Sequence, residues 1–384
     1  MPSANWDRGE SIEGCLKPYL QRLMKIEYVK HAVLGVETID GSLRWIGADG
    51  IAHPDETPME VETPYWIASV TKLYIATAIL KLQERGHLAI DDRMTNYLSS
   101  SLTQGLHQKK DGMDLTDQIT IRHLLSHASG LPDYLEIHQK GEKSLLEQVV
   151  DEGDQAWTLG EIVEMVREAK APLFPPQPLD QKKIKVRYSD TNFQLLIAIV
   201  EAVSKRFIGA ALDDLIFKPL GLAETFHPGT SPPNPLPPIA TLWDGDQAID
   251  VPKAMGSFGD LGSTARDQLR FLRGLVTGGV FENVSTFSLM TKRWNPFGFY
   301  MSPVAPGWPI EYGLGIMRLQ MPRILTPLQP TPEVVGHTGV TGSWAFYCPP
   351  LDALVVGNVS QLRAARLPFR LVPSLLRDLS RYIR

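Results

Sequence analysis

Ser69 and Lys72 stand three residues apart at the front of the apolar stretch "PYWIASVTKLYIATAILKLQERG". On a helix, residues i and i+3 share a face, so the hydroxyl and the amine are neighbours. A serine hydroxyl is a weak nucleophile until a base lies within hydrogen-bond reach. A lysine serves as that base when burial or nearby positive charge lowers its pKa. Tyr65, Trp66 and Ile67 before the pair, and Leu73, Ile75 and Ala76 after it, offer such burial. The competing reading is a serine N-cap followed by a solvated lysine, both of them common. This is the one S-x-x-K in the chain. A second group, "RYSDTNF", places Tyr188, Ser189, Asp190 and Asn192 at the entry to an apolar helical run. A tyrosine near a lysine ammonium ionises more easily and can relay protons. The alternative is a packed tyrosine, with Ser189 or Asp190 capping the helix. A third group, "GHTGVTGSW", holds His337, Thr338, Gly339 and Gly342. Its glycines permit close approach of another backbone or a ligand. His337 is either a satisfied turn histidine or a donor beside the site, and its charge is open because histidine titrates near neutrality.

These groups need elements to hold them. "SIEGCLKPYLQRLMKI" has Ile12, Leu16, Leu20 and Met24 at helical spacing. "HAVLGVETID" and "SLRWIGADG", joined at Asp40-Gly41, read as a β-hairpin, and the Ser69 helix follows and ends near Gly86. In "TIRHLLSHASGLPDY" a helix begins at Thr120, turns at Gly130 and stops before Pro132. Further helices are expected from about Gly160 to Lys170 and from about Asp190 to Ser204. After residue 310 come "YGLGIMRLQM", "PEVVGHTG", "GSWAFYCP" and "ALVVGNVS", short and too close together for crossover helices, so their pairing is antiparallel. A last helix packs through Leu371, Leu375, Leu379 and Ile383. The class is α+β: one antiparallel β-sheet flanked by N- and C-terminal helices, with an inserted mainly helical domain. The expected division is a discontinuous sheet domain, 1–90 plus 311–384, and a helical domain, 91–310, with the active site between them.

The order S-x-x-K, tyrosine motif, K-T-G-like triplet resembles the serine β-lactamase and penicillin-binding-protein superfamily. The chain is most similar to its class C β-lactamase-like branch, which includes DD-peptidases, esterases and D-aminopeptidases. "ITIRHLLSHASGLPDY", "GSFGDLGSTARDQLRFL", "YGLGIMRL" and "DALVVGNVS" resemble landmarks of that branch, so the similarity covers nearly the whole chain. The resemblance implies a β-lactamase/transpeptidase-like fold and an acyl-enzyme on Ser69. Lys72 would accept or steer the proton, and Tyr188 would be the partner base that activates water. The oxyanion would lie between the backbone N–H groups of Ser69 and Val340, such donors contributing roughly 3 kcal/mol each. His337, Thr338, Gly339 and Asp190 would border the substrate. No cofactor and no metal are implied.

Two departures matter. Asp190 stands where the branch usually has an asparagine that donates to the substrate, and a carboxylate donates only when protonated. His337 stands where the triplet has its lysine. Both point away from a dedicated β-lactamase. The expected activity is hydrolysis of short acyl esters or small amides, with at most weak β-lactamase activity. The alternatives are a DD-peptidase or D-aminopeptidase and, in another class, a non-catalytic penicillin-binding-type sensor or binding module.

The bulk properties agree with a small-molecule enzyme. The chain has 384 residues, 43% of them hydrophobic, enough for a large core. Its net charge of −5 gives no nucleic-acid footprint, and "QKKIKVR" (Gln181 to Arg187) is a short interrupted run. No stretch is apolar enough to span a membrane. The polar N-terminus lacks the apolar run of a signal peptide, so a cytoplasmic location is expected, with a removed leader left open. Cys15 and Cys348 form no metal or redox motif, and the sequence sets no oligomeric state.

Overall fold

A computed structural model describes residues 12–109, 111–137, 143–168, 172–232, 235–297, 310–320 and 331–383. The N-terminal helix spans Ile12–Met24. It leads into β1 (His31–Thr38) and β2 (Arg44–Gly50), which turn at Gly41 with φ 73°. The Ser69 helix covers Thr71–Glu84 and is preceded by a 3-10 turn, Ala68–Val70. After a long, mainly helical stretch come β3 (Asn295–Pro296), β4 (Ile310–Tyr312), β5 (Met317–Leu319), β6 (Val334–Gly339), β7 (Ser343–Cys348) and β8 (Ala353–Asn358). The C-terminal helix is Pro368–Leu379.

The eight strands form one antiparallel sheet in the order β2-β1-β8-β7-β6-β5-β4-β3. Pairing of β1 with β8 joins the two ends of the chain, with Val33 opposite Asn358 and Thr38 opposite Ala353. Alternate residues point to opposite faces of a strand, and the core divides accordingly. Leu34, Val36, Trp344, Phe346 and Val355 pack under the terminal helices through Leu16, Leu20, Leu371, Leu375 and Leu379. Val33, Ala345, Leu354 and Val356 face the opposite way, onto Leu269, Leu272 and Leu275 of the helix Ala265–Val276. Every residue of β1 is buried because both of its faces are covered, which is why residues 32–36 run apolar without alternation. Burying each leucine of this kind contributes roughly 1.5–3 kcal/mol.

Several expectations need adjustment. The sheet takes in Asn295, Pro296 and Ile310, which precede the expected boundary at 311. The helix begun at Thr120 spans only Ile121–Leu125. Thr120 caps it in a box with His123, but His127 adopts φ 55° and breaks the spiral before Gly130. The helix expected to end near Lys170 spans Leu159–Glu168, and residues 169–171 lie outside the described residues. Asp190–Ser204 is helical as expected and ends on Lys205 in the left-handed region. Cys15 and Cys348 are buried free thiols.

Candidate active site

The Ser69 helix is buried on all sides from Thr71 to Leu82. Through the run Thr63–Leu82, every side chain is buried except that of Ser69. The preceding residue, Ala68, has φ 45°, a left-handed conformation that a side chain disfavours and that surrounding contacts must impose. Those contacts come from the sheet. Thr341 Oγ1 donates to the Trp66 carbonyl at 2.8 Å, Ser343 Oγ donates to the Ile67 carbonyl at 2.7 Å, and Asn358 Nδ2 donates to the Trp66 carbonyl at 3.3 Å. Gly339 allows β6 to pass this close. A Cβ there would stand 2.5 Å from the Ile67 carbonyl oxygen and 2.9 Å from the Ala68 Cβ.

Ser69, Lys72 and Tyr188 meet. Lys72 Nζ donates to Ser69 Oγ at 3.0 Å, and Tyr188 Oη donates to the same oxygen at 2.9 Å. Lys72 also forms a buried salt bridge with Asp190. Asp190 is the first residue of its helix and makes no capping bond of its own, so the helix-cap reading of this residue does not hold. The salt bridge reverses an electrostatic expectation. Burial pulls the Lys72 pKa down, but the Asp190 and Asp260 carboxylates outweigh it and hold the group above the ordinary lysine value. In the resting site the lysine is an ammonium. Tyr188 also departs from the expectation that the ammonium would ease its ionisation. Burial, then the Asp190 charge, push the phenol well above its usual range. Burial raises the Asp260 carboxyl to about 7, against the pull of Lys72.

His337 is fully buried. Its Nδ1 lies 2.7 Å from the Thr338 carbonyl oxygen, which only accepts, so Nδ1 carries the hydrogen. Nε2 then accepts from Tyr312 Oη at 3.1 Å. Burial and the neighbouring Lys72 lower its pKa to about 3, so the ring is neutral and offers no cation to a substrate carboxylate. Thr338 and Gly339 are buried on β6, and Val340, the next residue, is half-buried.

Two contributors were not singled out in the sequence. Tyr312, in "YGLGIMRL", reads only as a strand residue, yet its ring lies 6.3 Å from that of Tyr188. His127, in "LLSHASG", packs with its ring centre 4.6 Å from those of Tyr188, tilted against it, and Tyr312, edge-on to it. Its Nδ1 accepts from the Ser189 N–H at 3.2 Å and from Asn192 Nδ2 at 3.0 Å, which fixes the backbone on which Tyr188 sits. The signal for such a role is the positive φ of His127, invisible in the sequence. From the aromatic run Arg293 to Trp308, Phe297 packs 6.2 Å from Tyr188, and residues 298–308 lie outside the described residues. Among the described residues no group of His, Cys, Asp or Glu is arranged to hold a metal ion.

A family model described as Beta-lactamase matches residues 22–366. The chain belongs to this family. Among its curated relatives, penicillin-binding protein 4 of Amycolatopsis lactamdurans is 26% identical over 269 residues, 66% of this chain and 61% of that protein. Esterase EstB of Burkholderia gladioli is 30% identical over 187 residues, 48% of this chain and 44% of the esterase. The chain thus spans about half of these relatives' lengths. Among solved structures, a D-stereospecific amidohydrolase from Streptomyces superposes with a TM-score of 0.68 at 26% identity, covering 94% of this chain and 98% of that one. The mixed architecture of a large antiparallel sheet with helices is the one this family shares. No helix among the described residues is long and apolar enough to cross a membrane.

Proposed function

We propose that this chain is a serine hydrolase of short acyl esters or small amides, working through an acyl-enzyme on Ser69. The observation that carries the reading is the convergence of Lys72 Nζ and Tyr188 Oη on Ser69 Oγ, at 3.0 and 2.9 Å, in an otherwise buried segment. The site lies where the sheet meets the helical part of the chain.

The salt bridge shapes the chemistry. An ammonium cannot accept a proton, so the base must be released first. Proton transfer within the pair, from Lys72 Nζ to the Asp190 carboxylate, leaves an amine beside Ser69 and a neutral carboxyl. Substrate that expels water favours this step, because charges lose their solvation while a neutral pair does not. Ser69 Oγ then attacks the carbonyl carbon and passes its proton to the amine. The N–H groups of Ser69 and Val340 receive the oxyanion. Lys72 or Tyr188 protonates the leaving group, and the same pair activates the water that cleaves the acyl-enzyme. Neutral His337 gives no anchor for a substrate carboxylate, which favours small neutral acyl groups over β-lactams and C-terminal peptides.

The similarity to an amidohydrolase across nearly the whole chain supports a second reading, a D-amino acid amide or D-aminopeptidase activity at the same residues. A fluorophosphonate probe followed by p-nitrophenyl esters, D-amino acid anilides and a chromogenic cephalosporin tests both. Wild type is expected to label and to turn over short esters, with slow cephalosporin hydrolysis, and Ser69→Ala to do neither. Equal labelling of Ser69→Ala would remove Ser69 as nucleophile. Anilide turnover without ester turnover would select the second reading. Labelling without turnover would support a sensor.

A further inference from the structure

A second cleft, of about 680 Å3, opens where the start of the Ile121–Leu125 helix, the loop 179–184, the short helix Phe287–Thr291 with its exit, and the turn before β5 come together. That volume falls within the range of small-ligand sites, about 300–1,000 Å3. None of Ser69, Lys72, Tyr188, Asp190 or His337 lines it. We propose that this cleft binds a small organic anion, a compact oxyanion on a short hydrocarbon body.

The charge of the lining decides its sign. Arg122 and Asp91 neutralise one another in a two-pronged ion pair at 2.6 and 2.7 Å. Among the described residues, Arg293 is held only by neutral acceptors: Asn295 Oδ1 at 2.9 Å and the carbonyl oxygens of Leu179 and Gln181. Its charge is therefore uncompensated by a carboxylate, and its position is fixed. Lys182 and Lys292 are exposed at the rim and make no ion pair among the described residues. Against these three cations the described lining sets one carboxylate with no ion pair among the described residues, Asp180. The cleft is therefore cationic in a chain whose net charge is −5. A concave site with one sign of charge concentrates ligands of the other sign.

The rest of the lining sets the ligand's shape. Leu179, Ile184, Leu289 and Leu314 give the cleft an apolar wall beside its cations. A bare inorganic ion would leave that wall in contact with water, whereas a hydrocarbon tail covers it at about 25 cal/mol per Å2. A carboxylate and a phosphate monoester share this chemistry, and both satisfy a fixed guanidinium flanked by two mobile ammonium groups.

Titration calorimetry on the full chain with hexanoate and with hexyl phosphate tests the proposal, with hexanol, hexylammonium and acetate as comparisons. One-site saturable binding is expected for at least one of the two hexyl anions, and which one binds identifies the headgroup. Acetate should bind more weakly, and hexanol and hexylammonium should not bind. In a Lys182→Glu/Lys292→Glu double variant, affinity should fall by at least about tenfold, because each reversed charge removes an attraction and adds a repulsion. Both lysines are exposed, so an unchanged melting temperature and unchanged ester turnover would verify the fold of the variant. Absence of saturable binding would overturn the proposal. So would equal affinity in the double variant, which would move the anion to another site, or equal binding of hexylammonium.

Discussion

The Ser69 helix carries two buried lysines, Lys72 at 5% exposure and Lys81 at 4%. Both are one side chain deep in the same apolar helix, and their electrostatic fates are opposite. Lys81 donates to the Val280 carbonyl, a neutral acceptor. Burial, then the nearby Arg85, lower its pKa. Lys72 meets Asp190 and Asp260, which hold it above the ordinary value in spite of burial. Burial alone therefore does not make a base. The partner sets the charge, and in the proposed reaction the partner also takes the proton away.

Lys72→Met and Lys81→Met should differ most. Removing the proposed base should slow fluorophosphonate labelling of Ser69 by about 10²–10⁴-fold, the usual worth of general-base catalysis, while Lys81→Met stays within about threefold of wild type. Similar losses in both variants would mean that Lys72 acts only through packing. Lys81 should show itself in stability instead. Its lowered pKa means the unfolded chain binds the proton more tightly, so stability rises with pH as the folded-state pKa is passed and is lost as pH falls through it. Denaturant melts should show wild type gaining on Lys81→Met as pH is raised from neutrality towards 10.

A smaller change tests the partner. Asp190→Asn removes the charge that raises both Lys72 and Tyr188, so the rising limb of the pH–rate profile should move to lower pH. The new amide can donate to a substrate carbonyl, and cephalosporin acylation should rise by about 2–10-fold, the worth of one added hydrogen bond. An unmoved limb would detach Asp190 from the ionisation that governs the rate. The smallest expected effect belongs to Asp260. Its folded-state pKa of about 7 lies above the unfolded value near 4, so its contribution is complete at pH below about 4 and is lost as pH rises through about 7. Melting temperatures of Asp260→Asn should therefore gain on wild type between pH 5 and 8. A constant difference would show that the carboxyl does not titrate in this window.

What the sequence disclosed follows the range of the interactions. The hairpin at Asp40-Gly41, the closely spaced C-terminal strands and the helix Asp190–Ser204 are written in local periodicity and turn residues, and the structure has all of them. The meeting of Ser69, Lys72 and Tyr188 was foreseeable through motif order. The Lys72–Asp190 salt bridge was not, because it joins residues 118 apart in the chain and an aspartate at a helix start ordinarily reads as a cap. The neutrality of His337 depends on its burial and on the nearby Lys72 ammonium, neither of which spacing reveals. The early stop of the Thr120 helix rests on the backbone of one residue, His127.

The tethers on the Ser69 turn have a consequence for the order in which its parts are synthesised. The Trp66 and Ile67 carbonyls are held by Thr341, Ser343 and Asn358, partners 275, 276 and 292 residues further on. A growing chain emerging from the ribosome presents Ser69 well before these restraints. Pairings this distant close slowly, since the intervening loop must lose its freedom first. The strained turn at Ala68 therefore has nothing to impose it until β6, β7 and β8 have docked. The Ser69 turn therefore takes its final shape only after these three strands have been made.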